Sequence, residues 1–537
     1  MPEDKRVHAL IRRQGELESN RGVWQGQWED LRQLVRPNVT KFMAGNSGEQ
    51  TKGDERRLAI YDSTAPWAAE QLAAGLHSFL TNPTDLWFFI TVQDDARLSL
   101  QARQWLEFVT KRMYREFSRP VVGLDASLHE VYLDLVTFGT GILYQDWNAK
   151  EKHLIFRTFS LADNYIDEDD NERIDSNFRI VNLTTSQAVK MFGEDNLPSK
   201  MLENHDHNKR WKFIHAVFPR EERDLNKITN TNLPFASIWV CQELKEIVKE
   251  SGFHEFPFHI PRWSKLTEER YGRGPGITAL PDIKMVNTMS KTLVKAAQKI
   301  VDPPLMVPDD GFLLPIKVSP ASLNFYTPGS DPLVPLETKG NIPIGQEMIA
   351  QRQDSIVKAF FLDWLFREKK KERQTTTEII DDREEMLRQL APILGRLQGE
   401  LLGPMIRRSY NILQRHGAFP PPPAELAARG LKVSYVSPAS VAQRGIKAMN
   451  ISRYLQEVTA LASVDPGVLD TVNMDAAATE IAELRSVSPA ILRDPQEVAQ
   501  LRQQRQEQQQ QQQQMMAARE SAAATKDFAA AQELSRR

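Results

Sequence analysis

The sequence predicts an α+β, mainly helical fold, and three observations carry that expectation. Long stretches repeat apolar residues at steps of three and four. A shorter section gathers β-branched and aromatic residues between turn signals. The helical runs cover far more residues than the strands. At 537 residues the chain is too long for one core, so several modules must cooperate. Hydrophobic residues make up 41% and charged residues 26%, which is enough to fold and bury a core. The net charge of -3 excludes a broad, tightly gripping DNA surface, so any nucleic-acid contact must be local or weak. Cys241 is the single cysteine, which excludes an internal disulfide and fits a reducing cytoplasm. MPEDKRVHAL has no apolar signal core, and no run approaches the ~20 apolar residues of a membrane span, so the expectation is a soluble, unprocessed chain with no membrane contact.

The first helix is expected over about Asp4 to Val35, where Leu10, Leu17, Trp24, Trp28, Leu31 and Val35 share a stripe and Arg36-Pro37 stops it. Ala44 to Asp54 reads as an exposed loop. A second helix follows over Ile60 to Phe79, with Trp67, Leu72 and Leu76 apolar. Leu86 to Val92 reads as a buried strand. Leu98 to Phe117 and Ser127 to Phe138 read as amphipathic helices parted by Pro120 and Gly123. Strands are expected over Ile142 to Trp147, Leu154 to Phe159, Phe178 to Leu183, Phe213 to Phe218 and Ser237 to Leu244.

The chain is organised around the stretch from Tyr271 to about Glu378. It opens with YGRGPG, whose Gly272, Gly274 and Gly276 are expected to allow sharp turns while Pro275 starts a helix. That helix, about Ile277 to Val301, carries an apolar face at Leu280, Ile283, Val286, Met289, Leu293, Ala297 and Ile300. Lys284, Thr288, Lys291, Lys295 and Lys299 form a second stripe. Asp302-Pro303-Pro304 ends it. A proline-crowded excursion follows, with short β-like runs at Leu305 to Val307, Phe312 to Leu314, Leu323 to Tyr326 and Leu333 to Leu336. Helical period returns from about Ile344 through Ile349, Ile356, Val357, Phe360, Phe361, Trp364 and Leu365, and the two helices could lie antiparallel.

Next comes the basic loop Arg367, Lys369, Lys370, Lys371 and Arg373, a candidate contact for a polyanion. Thr375 and Glu378 have capping-box spacing and open a long helix marked by Met386, Leu390, Ile393, Leu397, Leu401, Met405 and Ile412. Pro392 and Gly403-Pro404 are expected to bend or break it. Pro420 to Pro423 is a rigid spacer, and Leu431, Val433 and Tyr435 suggest a strand completing an earlier sheet. Helical runs are expected over Ala439 to Leu461, Gly467 to Leu484 and from Pro495 onward. The tract around Gln508 to Gln514 reads as a solvated helix or as disordered chain.

Enzyme readings find no residues to stand on. GxxxxGK[ST] is absent, so the YGRGPG glycines lack a phosphate-cradling lysine. His254-Glu255 with His259 has the wrong spacing for HExxH, and Pro257 would interrupt the helix that motif needs. His205 and His207 read as solvated loop histidines. Asp167 to Asp170 lacks the EF-hand glycine and terminal glutamate and reads as a solvated turn. No nucleophile, histidine and acid fall into a recognisable local motif. The expectation is a protein that is not an enzyme and has no cofactor and no metal.

Tyr271, Gly272, Arg273, Gly274 and Pro275, followed by LPDI, Asn287, Thr377, Glu378 and REEMLRQLAPILGRLQGELLGPMI, together resemble the head-to-tail connectors, or portals, of short-tailed bacteriophages similar to the T7 group. The likeness covers most of the chain and includes the PPP, SPAS and AQR signatures near its end. It departs near Ser486, where a glycine is expected.

The resemblance implies a portal-type subunit. Residues 1–270 would be an α+β wing, 271–301 a stem helix, 302–342 a small β-containing clip and 343–366 a second stem helix. The tunnel loop would span 367–376, a long wing helix and strand 377–462, and the helical crown and Gln-rich tail 463–537. It further implies a homo-oligomeric ring of about twelve copies at one capsid vertex. Double-stranded DNA would be packaged through that ring by terminase and later ejected, and the tail would attach to it. Implied partners are the terminase large subunit, the major capsid and scaffold proteins, tail adaptor proteins and DNA bound without sequence specificity. The site would be the virion's portal vertex, after assembly in the host cytoplasm.

Taken alone, the lysine row could be an ordinary solvated helix face. In a closed ring, however, each amine becomes a circle of positive charge that touches phosphates without reading sequence. Two alternatives remain open: a ring-forming DNA-processing enzyme such as a nuclease or translocase, and a virion structural protein without a DNA channel.

Overall fold

In the computed structural model of the chain, the structure describes residues 3–39, 42, 60–92, 98–203, 208–224, 229–301, 305–306, 334–335, 342–362, 390–427, 430–436, 438–462, 466–485, 487, 491, 493, 497–512 and 514–516. In chain order the elements begin with helix α1 (Glu3–Leu34), helix α2 (Thr64–Leu80) and strand β1 (Phe88–Val92). Helices α3 (Leu100–Phe117) and α4 (Leu124–Phe138) follow, then strands β2 (Leu143–Asn148), β3 (His153–Thr158), β4 (Asn164–Glu168) and β5 (Ile174–Thr184). Helix α5 (Thr185–Phe192) precedes strands β6 (Arg210–Pro219), β7 (Phe235–Cys241), β8 (Glu246–Phe253) and β9 (Phe258–His259). Helix α6 (Pro275–Val301), strands β10 (Leu305–Met306) and β11 (Val334–Pro335), and helix α7 (Ile342–Ala359) come next. A π-helical turn at Gln398–Leu402 leads into helix α8 (Gly403–Arg415). Strand β12 (Leu431–Tyr435) and helices α9 (Pro438–Ala462) and α10 (Met474–Leu484) complete the series.

The chain divides into two compact units that are not consecutive in sequence. Met1–Trp87 and Met113–Ala418 form one, and Phe88–Arg112 and Phe419–Arg537 form the other.

The larger unit is built on the antiparallel sheet β4-β5-β6-β7-β8. One face packs Phe178, Ile180, Ile214, Ile238 and Val240 against Val7, Leu10 and Leu17 of α1, as the α1 stripe predicts. Part of the other face packs Phe213, Trp239 and Cys241 against Ala188 and Phe192 of α5, whose start is fixed by a Thr184/Gln187 capping box. A second sheet, β3-β2-β9, is joined to α8 through a buried polar chain. His259 Nε2–H donates to Gln145 Oε1 at 2.8 Å, Gln145 donates to Ser409 at 2.7 Å, and Ser409 donates to the Met405 carbonyl at 2.8 Å.

In the smaller unit β1 pairs antiparallel with β12, Phe88 opposite Tyr435 and Val92 opposite Leu431. The expectation that the late strand completes an earlier sheet holds. Trp105 Nε1–H donates to the Pro420 carbonyl at 3.0 Å, tying the proline spacer to α3. Residues 497–512 are helical and mostly exposed, which is the solvated-helix option for the glutamine tract.

Several expectations change. Asp167 and Glu168 are not a solvated turn. They end β4, where Asp167 is buried and pairs with Arg13 and Arg270 while Glu168 pairs with Arg262 and Lys265; only the residues after them turn. Trp67 faces outward, 43% exposed, although it fits the apolar spacing of α2. The Gly403-Pro404 pair does not break the long helix. The turn before it widens, Gly403 N–H donates to the Gln398 carbonyl, and the proline ring is accommodated without a cap. Glu255, in the spacing that misses HExxH, pairs with Arg408 and Arg415. Burial would raise it, but hydrogen bonds and charge from Arg415 and Arg408 hold its carboxyl below the usual range. The loop 44–54, His205, His207, the inner runs of the proline-rich excursion, Thr375 and Ser486 lie outside the described residues.

His215 and His259 are fully buried, and burial pushes each imidazole down to about 3. Both are therefore neutral in the fold and charge only in the unfolded chain as pH falls below 6.5. The stability they contribute is present above pH 6.5 and lost as pH falls toward 3. Asp134 runs the other way: burial, opposed by Arg36, pushes its carboxyl up to about 6, so its contribution is lost as pH rises through 6. Acidification from pH 7 to 4.5 should cost about 2–3 kcal/mol for each histidine. Thermal melts of His259→Gln should show a shallower acid loss than the parent; an unchanged slope would exclude His259 as a source.

Candidate functional site

The site is positioned by close contact between the YGRGPG segment and the end of α4. Gly139 caps α4 in the left-handed conformation, with φ +86°, and its N–H donates to the Leu135 carbonyl at 2.9 Å. The incoming strand of chain lies directly on that cap. A Cβ at Gly274 would sit 2.6 Å from the Leu135 carbonyl oxygen, and one at Gly276 would sit 2.5 Å from that of Thr137. Gly272 and Gly139 exclude one another's Cβ in the same way. None of Gly272, Gly274 and Gly276 has a positive φ, so the sharp-turn expectation is corrected: these residues are glycine because backbone meets backbone.

Hydrogen bonds hold the junction. Gly272 N–H donates to Thr140 Oγ1 at 2.8 Å, Trp263 N–H to the Gly139 carbonyl at 2.9 Å, and Arg273 N–H to the Ser264 carbonyl at 2.7 Å. Tyr271 is buried edge-on against Trp28, ring centroids 5.1 Å apart, and burial pushes its phenol up. Arg273 lies over Trp24 and grips Glu269, whose carboxyl is held below the usual range by that hydrogen bond. Beside them Arg262, almost fully buried, pairs with Glu168 and with Glu400 of the π-turn at 2.8 Å. Nothing in the sequence pattern marks Arg262 or Glu400, because the partners are over a hundred residues apart.

From this junction α6 starts at Pro275 as expected and runs against α7. Asp282 meets Arg352 at 3.3 Å and Leu293 lies against Gly345, so the helices are antiparallel. β10 and β11 pair near the far end of that hairpin, closing the first and last β-like runs of the proline-rich excursion onto each other. Asn287 of the motif accepts the Tyr61 N–H at 2.7 Å and ties α6 to the chain before α2. α7 ends in a Schellman arrangement, with Phe361 at φ +56° and Leu362 N–H donating to the Val357 carbonyl at 3.1 Å.

At about 100° per residue, Lys284, Lys291, Lys295 and Lys299 fall within roughly 80° of one another, on the side of α6 away from α7. Lys284 is paired with Asp30 of α1, and Lys291 lies 5.4 Å from the centre of the Tyr61 ring. Lys295 and Lys299 are exposed, and among the described residues neither has an ion-pair partner. The apolar face splits: Leu280, Ile283 and Val286 are buried, whereas Ala297 and Ile300 are exposed. Arg367, Lys369, Lys370, Lys371, Arg373, Thr377 and Glu378, with Trp364 and Leu365, lie outside the described residues.

A family model described as bacteriophage head to tail connecting protein matches residues 7–492. The chain belongs to this family. It is 27% identical over 511 residues to the portal protein of Salmonella phage epsilon15, covering 92% of this chain and 90% of that protein. It is also 27% identical over 518 residues to a probable portal protein of Bordetella phage BPP-1, covering 94% and 92%. In the connector, Tyr271, Gly272, Arg273, Gly274 and Pro275 of the motif build the junction from which the lysine-bearing helix departs. Among the described residues of the connector, no helix is long and apolar enough to cross a membrane.

The junction makes a direct prediction. Gly274→Ala should destabilise the fold by about 3 kcal/mol or more, since the added methyl meets backbone that cannot step aside. Gly26→Ala in α1, where a Cβ meets nothing within 4 Å, should instead stabilise by about 0.5–1 kcal/mol. Denaturant titrations of the two variants check this, and equal effects would remove the steric account.

Proposed function

We propose that this connector subunit forms a ring at one capsid vertex, through which terminase packages double-stranded DNA and from which the DNA is later ejected, with the tail attaching to the same ring. The observation that carries the reading is the amine stripe on α6. It faces away from α7, it is open at Lys295 and Lys299, and it sits on a chain related along nearly its whole length to portal proteins. Repeated around an axis, two open amines per chain become stacked rings of positive charge. Such rings hold phosphates without reading bases, which suits a channel that must pass any sequence. The near-neutral total keeps the rest of the surface from gripping DNA.

In this reading α6 and α7 are the stem, residues 302–342 the clip toward terminase and tail adaptor proteins, and 367–376 the tunnel loop with Arg367, Lys369, Lys370, Lys371 and Arg373 toward DNA. The wing meets capsid and scaffold proteins, and the crown begins near residue 463. ATP hydrolysis belongs to terminase. Lys284, neutralised by Asp30, contributes least to the DNA-facing row.

Alanine at Lys295 and Lys299 should leave assembly intact while lowering the DNA packaged or retained per particle. In binding assays on the assembled protein, the slope of log affinity against log salt should fall by roughly 1 for each phosphate contact removed. Alanine at the five loop cations tests that segment separately. Unchanged packaging, retention and salt slope in assembled variants would overturn the DNA-facing assignment.

A further inference from the structure

A cavity of about 180 Å³ opens on the larger unit between the end of α3, the start of α4 and the turn after α2. About 150 Å³ is enough to hold a benzene ring, so this space suits one side chain and is small for a drug-sized ligand. Its inner wall is buried: Trp87, Phe117, Leu124 and Leu128 supply apolar surface, and the Thr81 hydroxyl is already bonded to the His77 carbonyl. Tyr114 is drawn against Trp87, its hydroxyl accepting the Trp87 N–H and the two rings meeting edge to face with centroids 6.1 Å apart. Pro83, Ser118 and Asp125 stand exposed at the mouth.

The charge at that mouth is one-sided. Among the described residues, no arginine or lysine pairs with the Asp125 carboxylate. His77 donates to the Asp125 carbonyl, but burial holds its imidazole below the usual value, so at neutral pH it is uncharged and does not offset the carboxylate. Asp85, in the turn between Pro83 and Trp87, adds a second exposed carboxylate, hydrogen-bonded by Asn82 at 2.9 Å. Arg119, beside Ser118, is turned to Glu116 with contacts of 3.1 and 3.2 Å. A carboxylate at the entrance of an aromatic-walled hole repels anions and favours a cation. Among cations a guanidinium fits best, because it stacks flat on aromatic rings and presents paired N–H groups to a carboxylate, which an ammonium cannot do.

We propose that this cavity receives an arginine side chain from a basic segment of a partner protein, its stem against Phe117 and Leu128 and its guanidinium held by the Trp87 and Tyr114 rings and the Asp125 carboxylate. Leu86 and Val121, 39% and 54% exposed, neighbour the lining residues in the chain and offer apolar surface to the rest of that segment. An acidic rim on a chain of net charge -3 complements a basic partner better than another copy of itself. Every lining residue belongs to one chain, so the site is complete without a ring and its failure would leave the ring reading untouched.

The test uses the full chain and an acetylated, amidated glycine-arginine-glycine tripeptide, read by saturation-transfer NMR. The arginine peptide should bind, and its lysine counterpart more weakly. The citrulline counterpart, neutral but of the same shape, should bind at least about tenfold more weakly, because a charge-assisted hydrogen bond is lost. Asp125→Asn should weaken the arginine peptide by a similar factor. Ser118→Trp, which fills the mouth and leaves Asp125 in place, should abolish its binding. Thermal melts show whether each variant is folded, and if either is not, the citrulline comparison on the parent still decides. No binding of the arginine peptide to the folded parent would overturn the proposal, as would equal binding of citrulline or lysine peptides. Binding unchanged in both folded variants would overturn it too. Binding to dispersed chains that is lost on assembly would overturn the choice of partner, by showing that a neighbouring copy fills the cavity.

Discussion

The constraint on which the rest depends is the approach of two backbones, YGRGPG against the last turn of α4. A side chain at any of four glycines would drive the segments apart, and the direction in which α6 leaves would change with them. Everything downstream inherits that direction: the antiparallel partner α7 and the lysine stripe. Glycine is costly in entropy, so four at one junction indicate that close contact offsets the loss.

A second tier of interactions keeps the junction from shearing. Arg262 is buried and holds carboxylates from β4 and from the π-turn, so an isolated loss of either acid would strand a charge in the interior. The π-turn itself reconciles two demands, a proline at 404 and a continuous helix on both sides, while directing Glu400 at Arg262. The aromatic group of Trp24, Trp28 and Tyr271 fills the space beneath.

Much of this was legible in the residues, and the exceptions have physical causes. The α1 stripe, the helices α6 and α7 and the strands β1 and β12 follow from periodicity and alternation, which are local signals, whereas the pairing of β1 with β12 joins segments far apart in the chain. β8 escaped because an edge strand carries charge, here Glu246, Lys249 and Glu250, and so looks like loop. β4 escaped because its Asp167 and Glu168 read as a polar run, although partners far along the chain bury them. The glycines were noticed for the wrong reason, since sequence shows that a side chain is missing but not what occupies its space. The assignment of Lys284 to an open row likewise could not anticipate Asp30, which spacing alone never brings near.

Membership in the connector family and the open amines at Lys295 and Lys299 fit a single arrangement in which identical chains surround a positively lined hole. The most direct measurement is an electron-microscopy reconstruction of the purified full chain. The account predicts a closed ring of about twelve copies with α6 lining the hole and Lys295 and Lys299 turned toward the axis. A two-fold particle, a filament, or a ring whose α6 lysines face outward would contradict it.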